Sequence, residues 1–532
     1  MTYNYSSGAV LAMNATGTLT SGTKALPRIT MASGTYTFGD DITSGNGSSA
    51  GDFTIFPGTL VPNGKTFTMN HMGGTRVIDT GGQSFYNLVL NGANTKTSIF
   101  TTTGFVVTNS FTLAGNSSTN RILFASTTLG TARTITSASN TISNADFRDI
   151  TGAGAGSWDL SAITGNSGDC GGNSGITFTT AATQTYTGGT DNWSSVAKWT
   201  SRVPLPQDDV SMSGVTGGTI TADMPRLGKS IDWTGASGTP NWTISSISHS
   251  IYGDLKLISG MTLSGNTGIT TTFEGRSGFL LTTAGKTFPN ALTISMVGGT
   301  LTPQDAIGGV SGNFTLTNGS FLNTNNISMQ FANLNISGTA TKAITLGSAT
   351  TTVTGSSTSW SFGTTTGLTF NSSGSTIFLS NISATTKTFA GGGLTYNDLQ
   401  IKAASVGSDV QSITGSNTFN RIYTDGGGTK SITLPGSTTT TLITDAGLEN
   451  GSNIITFTAS AGSATLSKAS GLVTWESVNL TNIISTGGAT FYAGATPPSV
   501  DGGGNTGWIF SSAPVTPPQA IPSSIYFTQG WT

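Results

Sequence analysis

The sequence predicts an all-β protein built as an elongated, right-handed parallel β-solenoid, and three observations carry that expectation. Apolar and polar residues alternate over runs of four to six positions, each broken by Gly, Asn or Ser, which is the period of a half-buried strand. Helix signals are scarce: the chain has only three glutamates, Glu274, Glu449 and Glu476, so capping boxes and Glu–Lys helix pairs cannot be common. A long segment also recurs. Asn120 to Ala181 can be laid over Asn453 to Ala513 with one single-residue gap, as in repeat architectures.

Both copies close on the same phrase. Asp169-Cys170-Gly171-Gly172-Asn173-Ser174-Gly175 ends the first and Asp501-Gly502-Gly503-Gly504-Asn505-Thr506-Gly507 the second, each followed by a short strand pattern. Gly and Asn accept positive φ, so each phrase reads as a turn feeding a strand. In a solenoid, short strands form the sides of a rung and Gly and Asn form its corners. At roughly 20 to 25 residues per coil and about 4.8 Å per rung, a few hundred residues make a rod on the order of 60 to 100 Å long. The rival is a string of β-sandwich domains. The dipeptides Asn46-Gly47, Asn63-Gly64, Asn91-Gly92, Asn318-Gly319 and Asn450-Gly451 permit the hairpins that sandwiches require.

In chain order, residues 1–45 read as short strands and loops, an N-terminal attachment segment. Residues 46–182 are a first β-repeat module, with runs such as Phe67-Thr68-Met69 and Phe111-Thr112-Leu113. Residues 183–430 form a central module that opens on Trp193, Trp199 and Pro204-Leu205-Pro206. These rings and prolines suit a cap over the open end of a sheet stack, the alternative being a sugar-stacking platform. Residues 431–513 are the duplicated terminal module. Residues 514–532 are a proline-rich linker and tail with a strand-like stretch at Ile525–Thr528.

A second phrase threads the modules: aromatic, any, Asn/Asp, Leu, any, Leu/Ile. It appears as Phe85–Leu90, Tyr252–Leu257, Phe331–Ile336 and Tyr396–Ile401, with shorter relatives at Phe147–Ile150 and Phe419–Ile422. Strict alternation puts the aromatic and the Asn/Asp on one face and the first Leu on the other. That arrangement predicts an Asn ladder or an aromatic stack between rungs. The competing reading is a strand that ends in a turn-capping Asx.

Composition excludes several function classes. Only 8% of residues are charged, against about 25% in an ordinary soluble domain. The 21 basic residues are scattered singly and the net charge is −2, which argues against nucleic acid and anionic lipid. No apolar run approaches the roughly 18 residues of a spanning helix, so no membrane insertion is expected. The N-terminus lacks the basic and apolar regions of a Sec signal peptide. The single cysteine, Cys170, permits no intrachain disulfide and reads as a small tolerated turn residue.

No active site is readable. His71 and His249 are the only histidines and lie in unrelated strand patterns, with no nucleophile phrase around either. The adjacent pairs Asp40-Asp41 and Asp208-Asp209 read as loop turns. The expected site residues are therefore none for catalysis, cofactor or metal, with any receptor-binding residues unknown. A glycosidase would need two carboxyls about 5 to 9.5 Å apart across a groove, and distant rungs can supply such a pair.

Three stretches resemble repeat-rich β-proteins carried by tailed bacteriophages: Tyr186 to Val210, Phe389 to Tyr396, and Asp501 to Phe510. The resemblance spans most of residues 46–513 and is compositional outside those stretches. It implies a virion component such as a tail fibre, spike or appendage. Such a component is homotrimeric, works with other virion proteins, and contacts a host-surface glycan or protein from the extracellular surface. The function expected on this basis is non-enzymatic, structural and attachment-related. The alternatives are a tailspike-like polysaccharide depolymerase and a bacterial surface adhesin.

Overall fold

Strands form because Thr, Val, Ile and Phe at every second position leave one face to bury, and parallel stacking lets each rung bury it against the next. A computed structural model describes residues 10–45, 53–55, 58–70, 74–93, 97–372, 374–403, 409–444, 447–494 and 498–514. His71, the N-terminal Met1–Ser6 and the strand-like Ile525–Thr528 lie outside the described residues. Among the described residues there is one 3-10 turn, Val196–Lys198, and no α-helix. The fold is a parallel β-solenoid: successive strands pair in parallel with the strands one coil away. Contacts divide the chain into two compact units, one of Met1–Met329, Ser337–Thr345 and Thr366–Thr369, the other of Gln330–Ile336, Leu346–Thr365 and Phe370–Thr532.

The first unit contains two coils. In the coil of residues 10–179, one ladder ends with Thr97–Thr101, Ile122–Ser126, Ala145–Arg148 and Ser167–Asp169. A second ladder carries Thr66–Asn70, Ser84–Asn91, Phe105–Ala114, Arg133–Ser143 and Ile150–Ala153. Phe67, Phe85, Phe105, Phe111, Phe124 and Phe147 all point inward and are buried. Their rings follow one another rung by rung, with Phe38–Phe67 at 6.2 Å and Phe67–Phe85 at 5.8 Å. The second coil begins at Gln184–Gly188. There Trp199 lies edge-on to Tyr186 at 5.1 Å and to Trp193 at 4.9 Å, and its indole donates to the Trp193 carbonyl at 2.7 Å. The two tryptophans therefore pack together inside the start of this coil.

In the second unit, Lys387–Ala390, Val410–Thr414, Lys430–Leu434, Ile455–Ala459, Val478–Thr481 and Val500–Asp501 form one ladder. Thr395–Ile401, Thr418–Thr424, Thr439–Leu442, Ala464–Lys468 and Ile483–Gly487 lie in a second. Leu472–Trp475, Thr490–Ala493 and Trp508–Ile509 make a third, so each terminal coil has three sides. Aromatic stacking recurs here, with Trp360–Phe389 at 5.5 Å and Tyr396–Phe419 at 5.4 Å.

The structure decides between alternatives that the sequence left open. The strand pairings are parallel, which rules out a string of antiparallel sandwiches. The Asn63-Gly64 pair serves at a corner instead, with φ of 51° and 69° between Thr59–Val61 and Thr66–Asn70, while Asn318-Gly319 lies inside the strand Asn313–Leu322 and Asn46-Gly47 lies outside the described residues. The aromatic–Asx–Leu phrase is not one continuous strand face. Phe147, Ile150, Phe331, Leu334, Tyr396 and Leu399 all point inward, although aromatic and aliphatic are three residues apart. A corner or bulge between them resets the phase; Asp149 at φ 56° and the irregularity between Phe85 and Asn87 show it. At Asp149 the Asx residue turns the corner rather than sharing a face with the ring, whereas Asn87 and Asp398 lie within strands and Asp398 is buried like Tyr396. Amide ladders do form beside the corners, as in Asn109 to Asn87 at 2.8 Å and Asn91 to Asn70 at 3.2 Å.

Candidate functional site

The densest cluster of ionisable groups lies in the first unit, where its two coils meet. Every residue of Ile122–Ser126 is buried, so this strand is covered on both faces. Its outward Leu123 and Ala125 pack with Cys170 and with Tyr252 of the second coil. Beside them the fully buried Asp146 receives Arg121 at 2.8 Å and Arg226 through a short bond. Burial alone would push this carboxyl up, but the two guanidinium groups outweigh it and hold the carboxyl below its ordinary range. Arg276 of the second coil grips Asp149 with both contacts at 2.8 Å, and Arg148 meets Glu274 at 3.2 Å.

A recess of about 150 Å³ opens here, with Asp169, Cys170, Gln207, Tyr252, Glu274 and Arg276 among its walls. Its chemistry is already committed. Glu274 is held by Arg148, and Asp169 accepts from Gly171 N–H and the Asn173 amide at 2.8 and 2.7 Å. Burial pushes both the Cys170 thiol and the Tyr252 hydroxyl well up, so neither ionises near neutrality. The cluster clamps two coils together. Among the described residues no group of three or more His, Cys, Asp and Glu side chains is placed to hold a metal ion.

The other candidates fall as follows. Trp193 and Trp199 are buried, which removes the sugar-stacking platform. Asp208 anchors the loop of residues 202–208, taking Arg202 at 2.7 and 2.9 Å and Leu205 N–H at 2.9 Å. Asp40 takes Ser21 and Gly22 N–H groups at 2.8 and 2.7 Å in a loop, and Asp41 takes Thr66 N–H at 2.8 Å. His249 is buried, with Nε2 2.8 Å from Thr271 Oγ1, and Asn290 donates to that same hydroxyl at 2.9 Å.

The second unit carries a different feature, a surface groove of about 300 Å³. Asn371, Ser372, Thr395, Asn397 and Asn420 supply amides and hydroxyls, while Phe370 and the exposed Ile443 supply apolar surface. Among the described residues, none that lines it is Asp, Glu, Lys or Arg. Its amides are oriented: Asn397 donates to Ser375 O at 3.0 Å, and Asn420 donates to Asp398 at 2.9 Å while accepting from Thr444 at 3.0 Å. Such a surface can hydrogen-bond a neutral polyol and cover its apolar face. No protein-family model, curated protein or solved structure matches the chain.

Sequence reasoning missed a set of buried lysines. The phrase Thr-Lys-x-Ile/Phe recurs at Thr341-Lys342-Ala343-Ile344, Thr386-Lys387-Thr388-Phe389 and Thr429-Lys430-Ser431-Ile432. In each, alternation puts the lysine on the same inward face as the Ile or Phe two residues on, and all three lysines are buried. The period-two pattern was the available signal, because a lysine in phase with the core residues stands out among so few charges.

Proposed function

We propose that this chain is a non-enzymatic structural component of a tailed-phage virion, of the tail-fibre or appendage kind, that contacts the host surface. In this reading it works as a homotrimer alongside other virion proteins and meets a host-surface glycan. The observation that carries the proposal is the groove at Asn371, Asn397, Asn420 and Ile443, whose uncharged, pre-oriented amides suit a neutral sugar. The coil behind it satisfies backbone groups rung to rung and buries its aromatic rings, which makes a stiff support for such a surface. The carboxylates of the first unit's recess are engaged by partners, so the reading assigns that unit a structural role.

The test is retention of the purified full chain on host cells and on immobilised host-surface polysaccharide. Ile443→Asp puts a charge in the groove and is expected to weaken retention by about tenfold or more, since an unpaired charge facing a neutral ligand costs over 1 kcal/mol. Polysaccharide incubated with the protein should keep its chain length. Shortened chains, or retention unmoved by the substitution, would count against the proposal. Mass spectrometry of purified virions is expected to find the chain among the particle proteins.

A further inference from the structure

The second unit contains a buried cluster of two lysines and one aspartate. Lys387, Asp409 and Lys430 have side chains only 1% exposed. Lys387 and Lys430 start strands in one ladder, and Asp409 directly precedes the strand Val410–Thr414 that pairs with both. Lys430 Nζ donates to Asp409 Oδ2 at 2.7 Å. Lys387 Nζ touches Oδ1 of the same carboxyl, yet Oδ1 has no hydrogen-bond partner among the described residues. The closest contact in the cluster therefore lacks the geometry of a hydrogen-bonded ion pair.

Lys342 provides an internal control. It occupies the same phrase and spends its ammonium on three carbonyls, those of Gly338, Ala340 and Thr366, at 2.6, 3.0 and 3.0 Å. Lys387 makes the two equivalent local bonds, to Ser383 O and Thr385 O at 2.6 and 2.8 Å. Where Lys342 has its third carbonyl, Lys387 has the Asp409 carboxyl. An amine with two N–H groups so engaged directs its remaining tetrahedral position, a lone pair when neutral, toward Asp409.

We propose that Lys387 and Asp409 become joined by an intramolecular isopeptide bond that staples two successive rungs of the coil. Out of water, an amine facing a carboxylic acid avoids the desolvation that an ammonium–carboxylate pair carries. A proton first passes from the Lys387 ammonium to Oδ1. The Nζ lone pair then attacks Cγ, and the carbonyl π pair moves onto Oδ2, where the Lys430 ammonium stabilises it. Nζ gives up a proton to Oδ1, the Cγ–Oδ1 bond breaks with its electron pair, and one water leaves. The product is an amide whose carbonyl oxygen, Oδ2, keeps the Lys430 hydrogen bond. Nothing is oxidised or reduced, and no co-reactant is consumed. Burial lowers the Lys430 ammonium below its ordinary range, against the opposing pull of Asp409, which makes it a better proton donor.

Intact-mass measurement of the purified, denatured full chain tests the bond. The expected mass is one water, about 18 Da, below that of the sequence, because amide formation expels one water. Proteolysis should yield a branched peptide joining the segments around Lys387 and Asp409. Lys387→Ala and Asp409→Ala should each restore the full mass, a reading that does not depend on their folding well. Lys430→Met should slow bond formation by tenfold or more. A wild-type chain that stays at full sequence mass after prolonged incubation overturns the proposal. So does a mass deficit that survives in Lys387→Ala, and a Lys430→Met chain that reacts at the full rate removes Lys430 from the mechanism.

Discussion

The two copies of the closing module have the same interior and opposite exteriors. Inward, Ile122 and Phe124 of the first unit correspond to Ile455 and Phe457 of the second, and all four are fully buried. The closing turns also agree bond for bond. Asp169 accepts from Gly171 N–H and the Asn173 amide; Asp501 accepts from Gly503 N–H at 2.9 Å and the Asn505 amide at 2.5 Å. Each Asn then reaches the coil below, Asn173 to Phe147 O at 2.9 Å and Asn505 to Leu480 O at 2.8 Å. In each a residue at positive φ, Asp149 or Asn482, sits where a Cβ on Gly172 or Gly504 would collide with it. Outward, the copies diverge: Leu123, Ala125, Asp146, Arg148 and Cys170 become Thr456, Thr458, Asn479, Thr481 and Gly502. The first set is covered by a neighbouring coil, and the second faces outward with neutral hydroxyls and amides. One interior pattern thus builds the coil, while the exterior residues decide whether another coil can lie against it.

Substitutions that break this comparison should differ sharply between copies. Asp146→Ala leaves Arg121 and Arg226 buried without their carboxylate and is expected to cost roughly 3–5 kcal/mol in urea unfolding of the first unit. Asn479→Ala, at the matching position, should cost under about 1 kcal/mol. The contribution of Asp146 also depends on pH. Its folded carboxyl is held below the unfolded value, so its stabilisation is fully present above about pH 4 and is lost as pH falls through the folded value. A unit whose stability is flat between pH 5 and pH 2 would contradict the clamp.

Leu123→Thr with Ala125→Thr gives the first copy the second copy's exterior. The pair should destabilise the first unit by about 2–4 kcal/mol, through lost apolar burial and unpaired hydroxyls, and raise hydrogen exchange in Ile122–Ser126. The closing turns should show a smaller contrast. Asp169→Ala is expected to cost about 2 kcal/mol, because the donors it strands, Gly171 N–H and the Asn173 amide, are part-buried beside the second coil. Asp501→Ala, in the exposed copy, should cost about 1 kcal/mol. Equal losses would mean that the covering coil adds nothing to the brace. Smallest of all, Thr456→Leu should move stability by no more than about 0.5 kcal/mol, detectable only by careful calorimetry.

Much of this was legible in the residues. The period-two runs, the scarcity of helix formers and the recurring Asp-x-Gly-Gly-Asn phrase pointed to stacked short strands. The aromatic–Asx–Leu phrase misled because periodicity assumes an unbroken strand, and a corner at Asp149 resets which side the next residue faces. The groove escaped because Asn371, Asn397 and Asn420 are neighbours only across rungs. The lysines were within reach, since Lys387 and Lys430 share phase with Phe389 and Ile432.

Local chemistry alone determined the strands, the inward side of each and the places where glycine and asparagine turn the chain, because alternation and φ preference act over a few residues. Tertiary structure alone decided which distant side chains meet: Arg226 with Asp146, Arg276 with Asp149, Lys387 with Asp409. Those meetings depend on how coils stack and which exteriors are covered. A buried charge is tolerated only where a partner from elsewhere in the chain arrives to replace water.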